Sequence, residues 1–250
     1  MVMAGTGAFY LLLRRHEEAG RIFIRVGVTA GAICSAASLF PTGAFHGERV
    51  TRFQPAKMAA MEGLFKTRDG APLAIIGMPD RDRQELMDPI VVPGALSYLV
   101  YGDFRARVVG LNDIPADQHP PVEIVYYAYH IMVGLGTIFI AVTTAALFFL
   151  WRGTLYRRRG MLWILMLSAP FPYIANEAGW TVAEVGRQPW SVYGLQRVAE
   201  SSSLNVTTGM TYFTLIGFMG LYLALGLLYL VLFARIVNQG PALRPVEGPQ

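Results

Sequence analysis

A glutamate, an arginine and a tryptophan stand close together in AEVGRQPWSVYG, residues 183–194, where a long apolar stretch ends. Glu177 and Glu184 are about two helical turns apart and Trp180 lies between them, so the three residues share one helix face. A carboxylate at membrane depth is costly unless it faces protein, water, a cation or a metal. The pattern therefore indicates a functional stripe, and the alternative is a pair of acids solvated at the outer interface.

Other residues near this stripe and in the preceding apolar segment have side chains suited to a cofactor. Arg187 carries a planar guanidinium that suits a carboxylate or a propionate at the membrane edge, or it anchors the interface beside Trp190. Met132 carries a thioether, a soft ligand for haem iron, although most membrane methionines only fill space. His130 is ionisable and is a ligand, a proton carrier or a partner of a propionate. Residue type alone leaves these alternatives open.

The segment FQPAKMAAMEGLF, residues 53–65, is also a candidate for chemistry. Pro55 suits the first turn of a helix, and apolar residues follow at helical spacing. Lys57 and Glu62 are about 140° apart around that helix. They either flank a bound polar head group or are solvated charges beside the apolar stripe.

The elements that carry these residues are predicted to be membrane helices. Hydrophobic residues make up 54% of the chain and charged residues 15%, which is too apolar for an ordinary soluble domain. A span needs roughly 20 apolar residues, and four stretches meet this requirement: 22–45, 122–151, 161–185 and 207–236. The predicted fold class is an all-α integral membrane protein with about four full transmembrane helices, a partial N-terminal one and one long extracytoplasmic loop.

Arginines predict the orientation of these spans, because basic residues in short connections stay on the cytoplasmic side. They cluster between the short apolar stretch 1–13 and the start of the span 22–45, between the spans 122–151 and 161–185, and at the end of the span 207–236: Arg14, Arg15, Arg21, Arg25, Arg152, Arg157, Arg158, Arg159 and Arg235. The loop 46–121 and the connection 186–205 are therefore predicted to face the periplasm. We attribute the net charge of +4 to the arginines that orient the spans in the membrane. No basic patch interleaved with aromatic residues predicts a nucleic-acid partner.

This topology divides the chain into regions with different expected roles. They are the end of a truncated transmembrane helix at 1–13, a cytoplasmic loop and span at 14–45, a periplasmic loop at 46–121, three spans with the candidate motifs at 122–236, and a loose cytoplasmic tail at 237–250. The stretch 1–13 is too short to span a bilayer, and the alternative for it is a re-entrant or interfacial segment.

The segments NEAGWTVAEVGRQPW, YYAYHIMVGLG and FQPAKMAAMEG resemble subunit I of the cytochrome bd quinol oxidases in sequence, order and spacing. The resemblance runs over essentially the whole chain and corresponds to the C-terminal portion of that subunit. The continuation QPWSVYGL is more similar to the cyanide-insensitive branch. The resemblance implies a quinol:O2 oxidoreductase of the bacterial inner membrane. Electrons would pass through a low-spin haem b and a high-spin haem b to haem d or a further haem b.

The same resemblance implies roles for individual residues. Met132 matches the methionine ligand of the low-spin haem b, and Glu184 matches the glutamate ligand of the high-spin haem b. The implied haem environment is Trp180, Arg187, His130 and Glu177. Lys57 and Glu62 match loop residues tied to quinol binding and oxidation. Many members have an arginine at the position of His130, so the fixed positive charge expected there is in doubt.

The resemblance also implies what lies outside this sequence. The family's subunit I has nine membrane helices, and this chain resembles the last four and the tail of the fifth. Its histidine ligands and the acids of the proton path are therefore expected upstream. The expected partners are the N-terminal half of subunit I, subunit II, membrane quinol, O2 and the lipid bilayer. The chain is then either a truncated sequence or a separately made part, and it is expected to be inactive alone.

Two other classes of function compete with this interpretation. One is a haem-binding or structural membrane module that keeps the fold without oxidase chemistry. The other is a transporter-like helical protein whose membrane acids carry ions. Transporters of that kind have paired short or broken helices in their two halves, and the sequence shows no such pair. The combined motifs favour the oxidase over a scaffold.

Overall fold

The computed structural model describes residues 1–203 and 205–240, and most of them are α-helical. The helices are α1 (Val2–Leu12), α2 (Glu17–Ala37), α3 (Ala44–Phe53), α4 (Pro55–Glu62), α5 (Ala95–Tyr101), α6 (Val122–Trp151), α7 (Arg159–Leu167), α8 (Phe171–Val185) and α9 (Thr208–Gln239). The strands are β1 (Arg68–Asp69), β2 (Leu73–Asp80), β3 (Glu85–Val92), β4 (Arg107–Val108), β5 (Trp190–Val192) and β6 (Gln196–Arg197). The predicted helical membrane fold is confirmed. Most of the predicted tail, residues 241–250, lies outside the described residues, and α9 continues to Gln239.

Within residues 1–203 and 205–240, three helices are long and apolar enough to cross a membrane: α2, α6 and α9. α6 coincides with the predicted span 122–151. The predicted span 161–185 is wrong as one continuous helix, because α7 and α8 are separated at Ser168–Pro170. Pro172 has no backbone N–H, and its ring would clash with the carbonyl of Ser168 in an unbroken helix. A proline in the first turn of α8 is tolerated, so the helix restarts there.

The predicted span 22–45 also ends early as an α-helix. α2 stops at Ala37 and continues as a π-helical turn over Ser38–Gly43 before α3 begins. Pro41 lies in this turn and cannot donate a backbone hydrogen bond, which explains why the regular α-helical pattern is lost here.

The middle of the long loop contains a β-hairpin where the sequence predicted only a connecting segment. β2 and β3 pair antiparallel from Leu73 opposite Val92 to Asp80 opposite Glu85, with irregular register at Ile76. Two shorter antiparallel ribbons pair β1 with β4 and β5 with β6. The hairpin packs beside α6 and forms one wall of the candidate site.

Among the described residues, buried apolar side chains form two separate clusters, and α6 contributes to both. The loop core joins α4, α5, α6 and α8 with the residues of the long loop, and its largest members include Met58, Met61, Phe65, Leu96, Leu111 and Val125. The arginine-side core joins α1, α2, α6 and α7 through Ala4, Ala8, Ile24, Val28, Ala146 and Leu165. The candidate chemistry lies in and beside the loop core.

α9 differs from the other long helices in that it buries none of its residues against the rest of the described chain. The Tyr10 hydroxyl donates to the carbonyl of Val237, 3.1 Å away, near the end of the helix. The apolar side chains along α9 are exposed, as expected for a surface that faces lipid or other helices.

Candidate functional site

The short helix α4 lies at the centre of the site, and both of its charged side chains are buried. It begins with Pro55 at its first position and ends at Gly63, whose φ of 61° is a left-handed conformation that glycine adopts readily. This confirms the predicted helix start. The alternative in which Lys57 and Glu62 are solvated charges is wrong, because they are 8% and 3% exposed.

Lys57 is bound to the end of α8. Its Nζ donates to the carbonyl oxygen of Ala183 at 3.2 Å, in the last turn of that helix, where carbonyl groups lack intrahelical partners. A Cβ atom at Gly186 would lie 3.0 Å from Cγ and 3.1 Å from Cε of Lys57, so the glycine leaves space for the lysine stem. Lys57 therefore caps α8, and its positive charge is favourable at a helix C-terminus.

The environment of Lys57 disfavours its charged form. Burial lowers the pKa of Lys57 first, the nearby Arg187 guanidinium lowers it further, and Glu184 acts in the opposite direction. The lysine is thus electrostatically coupled to both charged residues at the end of α8. The structure brings Lys57 close to Glu184 and Arg187, although Lys57 is more than 120 residues away from both in sequence.

Glu184 and Arg187 form an ion pair in which one carboxylate oxygen accepts two hydrogen bonds. The distances to Glu184 Oε2 are 2.9 Å from Arg187 Nε and 2.7 Å from Nη2. The remaining terminal nitrogen, Nη1, donates to the carbonyls of Trp190 and Ser191 at 3.3 and 3.0 Å. Arg187 thereby fixes the turn after α8, and one oxygen of Glu184 is left outside this pair.

The ribbon that follows this turn is held against the long loop. Arg197 pairs with Asp117, and its guanidinium lies 5.3 Å from the ring centroid of Trp190. Trp190 is the residue whose carbonyl accepts from Arg187. Contacts therefore run from the loop through the ribbon to the Glu184 pair.

The stripe predicted on α8 is present and faces away from the loop core. Glu177, Trp180 and Glu184 are all exposed, and the Trp180 side chain is 62% exposed. The opposite side of the helix packs through the buried Val182. The exposed stripe leaves room for a group beside α8.

Met132 lies where α6 and α8 pack together. A Cβ atom at Gly179 would be 2.8 Å from the Met132 sulfur, so any larger residue at that position would collide with the thioether. Gly179 is one residue before Trp180 on the exposed stripe. The sulfur therefore lies against Gly179, beside the candidate residues of α8.

His130 has both ring nitrogens beside backbone carbonyls. Nδ1 is 2.9 Å from the carbonyl oxygen of Tyr126, and Nε2 is 3.1 Å from that of Ala74 in β2. The ring also stacks on Tyr126 with centroids 3.9 Å apart. In this arrangement the Nε2 contact joins the hairpin to α6.

Glu62 is buried without a hydrogen-bond partner among the described residues, on either carboxylate oxygen. Burial raises its pKa to about 7, while the Tyr129 hydroxyl and the Ala74 backbone lower it in part without meeting hydrogen-bond geometry. The side chain lines a cavity of about 230 Å³ beneath the β2–β3 hairpin, together with residues such as Leu86. An unpaired carboxyl beside such a cavity is able to accept a hydrogen bond or a proton from a ligand.

Lys57 does not line the cavity at Glu62, so the two residues do not flank one pocket among the described residues. Glu62 instead lies near the backbone of Ala74, the residue whose carbonyl oxygen contacts His130. The sequence reasoning did not identify Tyr126 and Tyr129, which face Glu62 from α6, and the Tyr126 hydroxyl is also buried without a partner in the described structure. Their spacing of three residues, which puts both on one helix face, was the available signal.

Comparisons with known proteins agree on one family. The model for cytochrome bd terminal oxidase subunit I matches residues 1–241. The chain is 34% identical over 248 residues to cytochrome bd ubiquinol oxidase subunit 1 of Bacillus subtilis, covering 95% of this chain and 53% of the relative. It is 33% identical to a putative cytochrome bd menaquinol oxidase subunit I of the same organism, covering 93% of this chain and 53% of that relative.

A solved structure of the bd oxidase from Geobacillus thermodenitrificans matches with a TM-score of 0.82 and 30% identity, covering 96% of this chain and 54% of that chain. The chain thus spans about half the length of these relatives.

Proposed function

The chain belongs to the cytochrome bd terminal oxidase subunit I family, and from this premise we propose that it works as part of a quinol:O2 oxidoreductase. In the assembled protein, quinol gives up two electrons and two protons, and the electrons pass to oxygen. The observation that carries this proposal is the contact of Lys57, on the helix that also holds Glu62, with the end of α8 that holds Glu184 and Arg187. It links the proposed quinol side to the proposed haem side.

Met132 and Glu184 are the proposed ligands that would hold the irons of the low-spin and the high-spin haem b. Their chemistry fits, because a thioether and a carboxylate are both able to bind haem iron when they are accessible. The Met132 sulfur lies against Gly179 at the contact of α6 with α8, and Glu184 lies on an exposed stripe with one oxygen outside its pair with Arg187. When bound, the haems, with haem d or a further haem b at the oxygen site, supply the electron acceptors.

The residues around these ligands have supporting roles in the proposal. Arg187 orients Glu184 through the ion pair and provides positive charge for a propionate. Trp180 and Glu177 complete the exposed stripe on α8. His130 supports the site from the other side, because the contact of its Nε2 with the Ala74 carbonyl holds β2 against α6.

Glu62 is the proposed proton acceptor for quinol oxidation. A general base is most effective when its pKa is near the working pH, and burial raises the pKa of Glu62 to about 7. Its two unpaired oxygens are able to accept a hydrogen bond from a quinol hydroxyl in the adjacent cavity. Lys57 is the second proposed quinol-binding residue, at the other end of the same helix, where it also caps α8.

The proposed location is the bacterial inner membrane, with the long loop facing the periplasm. Arg14, Arg21 and Arg159 line one cavity at the ends of α1, α2 and α7, so these basic connections share a side of the molecule, as a cytoplasmic surface requires. The proposed partners are the remaining part of subunit I, which would supply the other iron ligands, subunit II, quinol, O2 and the bilayer.

The test uses membranes containing this chain assembled with the other oxidase subunits. We expect Met132→Leu to weaken the haem b band and Glu184→Ala to weaken the high-spin haem signal in reduced-minus-oxidised optical spectra. The matched controls are Met219→Leu on exposed α9 and Glu18→Ala at the exposed start of α2, which should leave both signals unchanged. Unaltered haem signals in both test variants would contradict the ligand assignment and favour a membrane scaffold.

A further inference from the structure

A second cavity lies far from the loop core, between the ends of three helices. It has a volume of about 200 Å³ and is lined by arginines from α2, from α7 and from the turn between α1 and α2: Arg14, Arg21 and Arg159. Glu17 is the one carboxylate in its lining, so the described lining has a net charge of +2. The proposed oxidase chemistry uses none of these residues.

The arginines of this cavity are only partly neutralised by the protein. Arg21 lies 3.6 Å from Glu17, and both side chains are more than half exposed, so the pair is weak. Arg14 and Arg159 have no ion-pair partner within residues 1–203 and 205–240. Within this part of the chain, two guanidinium groups therefore lack a carboxylate partner and are suited to bind an anion.

Other contacts hold the wall of the cavity in place. The Arg21 guanidinium lies 5.6 Å from the ring centroid of Tyr156, and the Tyr156 hydroxyl donates to the Arg21 carbonyl at 3.4 Å. These contacts tie the start of α2 to the segment before α7. Arg14 adopts a left-handed conformation with φ of 54°, which is uncommon for a residue other than glycine, in the tight turn that leads from α1 into α2.

The rest of the lining is apolar and continues towards the membrane-spanning part of the chain. Leu11, Leu12 and Leu162 complete the cavity, and Leu162 is fully buried in the arginine-side core. α2 leads away from the cavity with Ile22 and Val26 exposed one helical turn apart. An arginine-rich opening next to an exposed apolar helix face matches a phosphate group attached to an acyl chain.

The geometry points to a binding site for the head group of an anionic phospholipid in this cavity. Arg14 and Arg159 would bind the phosphate through their planar guanidinium groups. The leucines would contact the glycerol region, and an acyl chain would follow Ile22 and Val26. Basic pockets between membrane helices on the cytoplasmic side are suited to such head groups. A free phosphate shares the charge but not the apolar contacts, so the site is assigned to a lipid.

The test measures lipid retention on the full chain, extracted with its complex in mild detergent and analysed by native mass spectrometry. The probes are phosphatidylglycerol, phosphatidylcholine and inorganic phosphate. We expect phosphatidylglycerol to be retained at least tenfold more than phosphatidylcholine, and inorganic phosphate not to displace it. The double variant Arg14→Gln/Arg159→Gln should lose most of this retention.

Two further variants separate the site from general surface charge and from misfolding. Arg152→Gln/Arg157→Gln removes the same charge from exposed positions outside the cavity lining, and it should retain the lipid as the wild type does. Arg14→Lys/Arg159→Lys keeps the charge but not the planar fork, and it should retain an intermediate amount. Equal retention by the two glutamine variants, or displacement by inorganic phosphate, would overturn the assignment. This result is independent of the haem spectra, so it does not depend on the proposed oxidase function.

Discussion

The two charged residues of α4 are both buried, but their surroundings differ in kind. Lys57 is hydrogen-bonded to the Ala183 carbonyl and lies beside the Glu184 and Arg187 pair. Glu62, at the other end of the same helix, has no hydrogen-bond partner among the described residues and faces a cavity. A buried charge that is paired stabilises a particular packing, whereas an unpaired buried carboxyl is costly and indicates a ligand. We therefore propose that the Lys57 end of α4 attaches it to α8 and that the Glu62 end takes part in proton transfer.

The largest expected effect is on turnover when the Glu62 carboxyl is removed. Glu62→Gln keeps the size of the side chain but cannot accept a proton from quinol, so we expect quinol oxidation by the assembled oxidase to fall by about 100-fold or more. Haem spectra should be unchanged. The control is Glu48→Gln, an exposed carboxylate outside the lining of this cavity, which should leave turnover unchanged. Wild-type turnover in Glu62→Gln would contradict the proposed role of Glu62 as the proton acceptor for quinol oxidation.

The raised pKa of Glu62 predicts a pH dependence of stability. Between pH 4.5, its ordinary pKa, and about 7, its pKa in the folded chain, the folded state binds more protons than the unfolded state. The free energy of unfolding should therefore fall as pH rises through this window, by roughly 3 kcal/mol, and level off above it.

Chemical denaturation in detergent at several pH values measures this contribution as the difference between wild type and Glu62→Gln. The variant lacks the titrating group, so its profile should be flatter across the same window. Identical profiles for the two proteins would show that the carboxyl is not held neutral by burial.

Loss of the Lys57 contact should have a smaller effect, on stability and on α8. Lys57→Met leaves the Ala183 carbonyl without its charged donor, so we expect a loss of about 2 kcal/mol in the free energy of unfolding. A shifted high-spin haem signal should accompany it, because Glu184 is at the same helix end. Lys66→Met is the control, because Lys66 is exposed and its substitution should change stability by less than about 0.5 kcal/mol.

The smallest effect is expected from a single methyl group at Gly186. In Gly186→Ala the new Cβ would overlap the Val182 carbonyl oxygen and lie 3.0 Å from the Lys57 stem. The end of α8 and the lysine must both shift, and we expect a loss of about 1 kcal/mol in stability. The haem signal should shift in the same direction as in Lys57→Met. Gly134→Ala adds a methyl group in open space on α6 and should be neutral or slightly stabilising. Equal effects of the two substitutions would mean that a glycine at position 186 is not needed to leave space for the Lys57 side chain.

Local sequence signals predicted the helices better than the segments between them. α6 has the predicted bounds because its apolar run is long, and Pro55 marked the start of α4. The β2–β3 hairpin was missed because Gly77, Pro79 and Pro89 interrupt its strands and hide any alternating pattern. The break between α7 and α8 depends on prolines inside an otherwise apolar run, which hydropathy alone does not register.

The candidate site was predictable in its residue types but not in its arrangement. The acids, Met132 and Lys57 were identified from type and spacing. Contacts between distant segments determine the rest: Lys57 reaches α8, and Ala74 of the hairpin meets both His130 and Glu62. No local pattern encodes which of two buried charges finds a partner.

The most direct test of the difference between the two ends of α4 is a pair of reduced-minus-oxidised spectra, recorded for Lys57→Met and Glu62→Gln in the assembled oxidase. We predict a shifted high-spin haem signal in Lys57→Met and a wild-type spectrum with greatly slowed reduction by quinol in Glu62→Gln. A wild-type spectrum in Lys57→Met together with a shifted one in Glu62→Gln would contradict the assignment of attachment to Lys57 and proton transfer to Glu62.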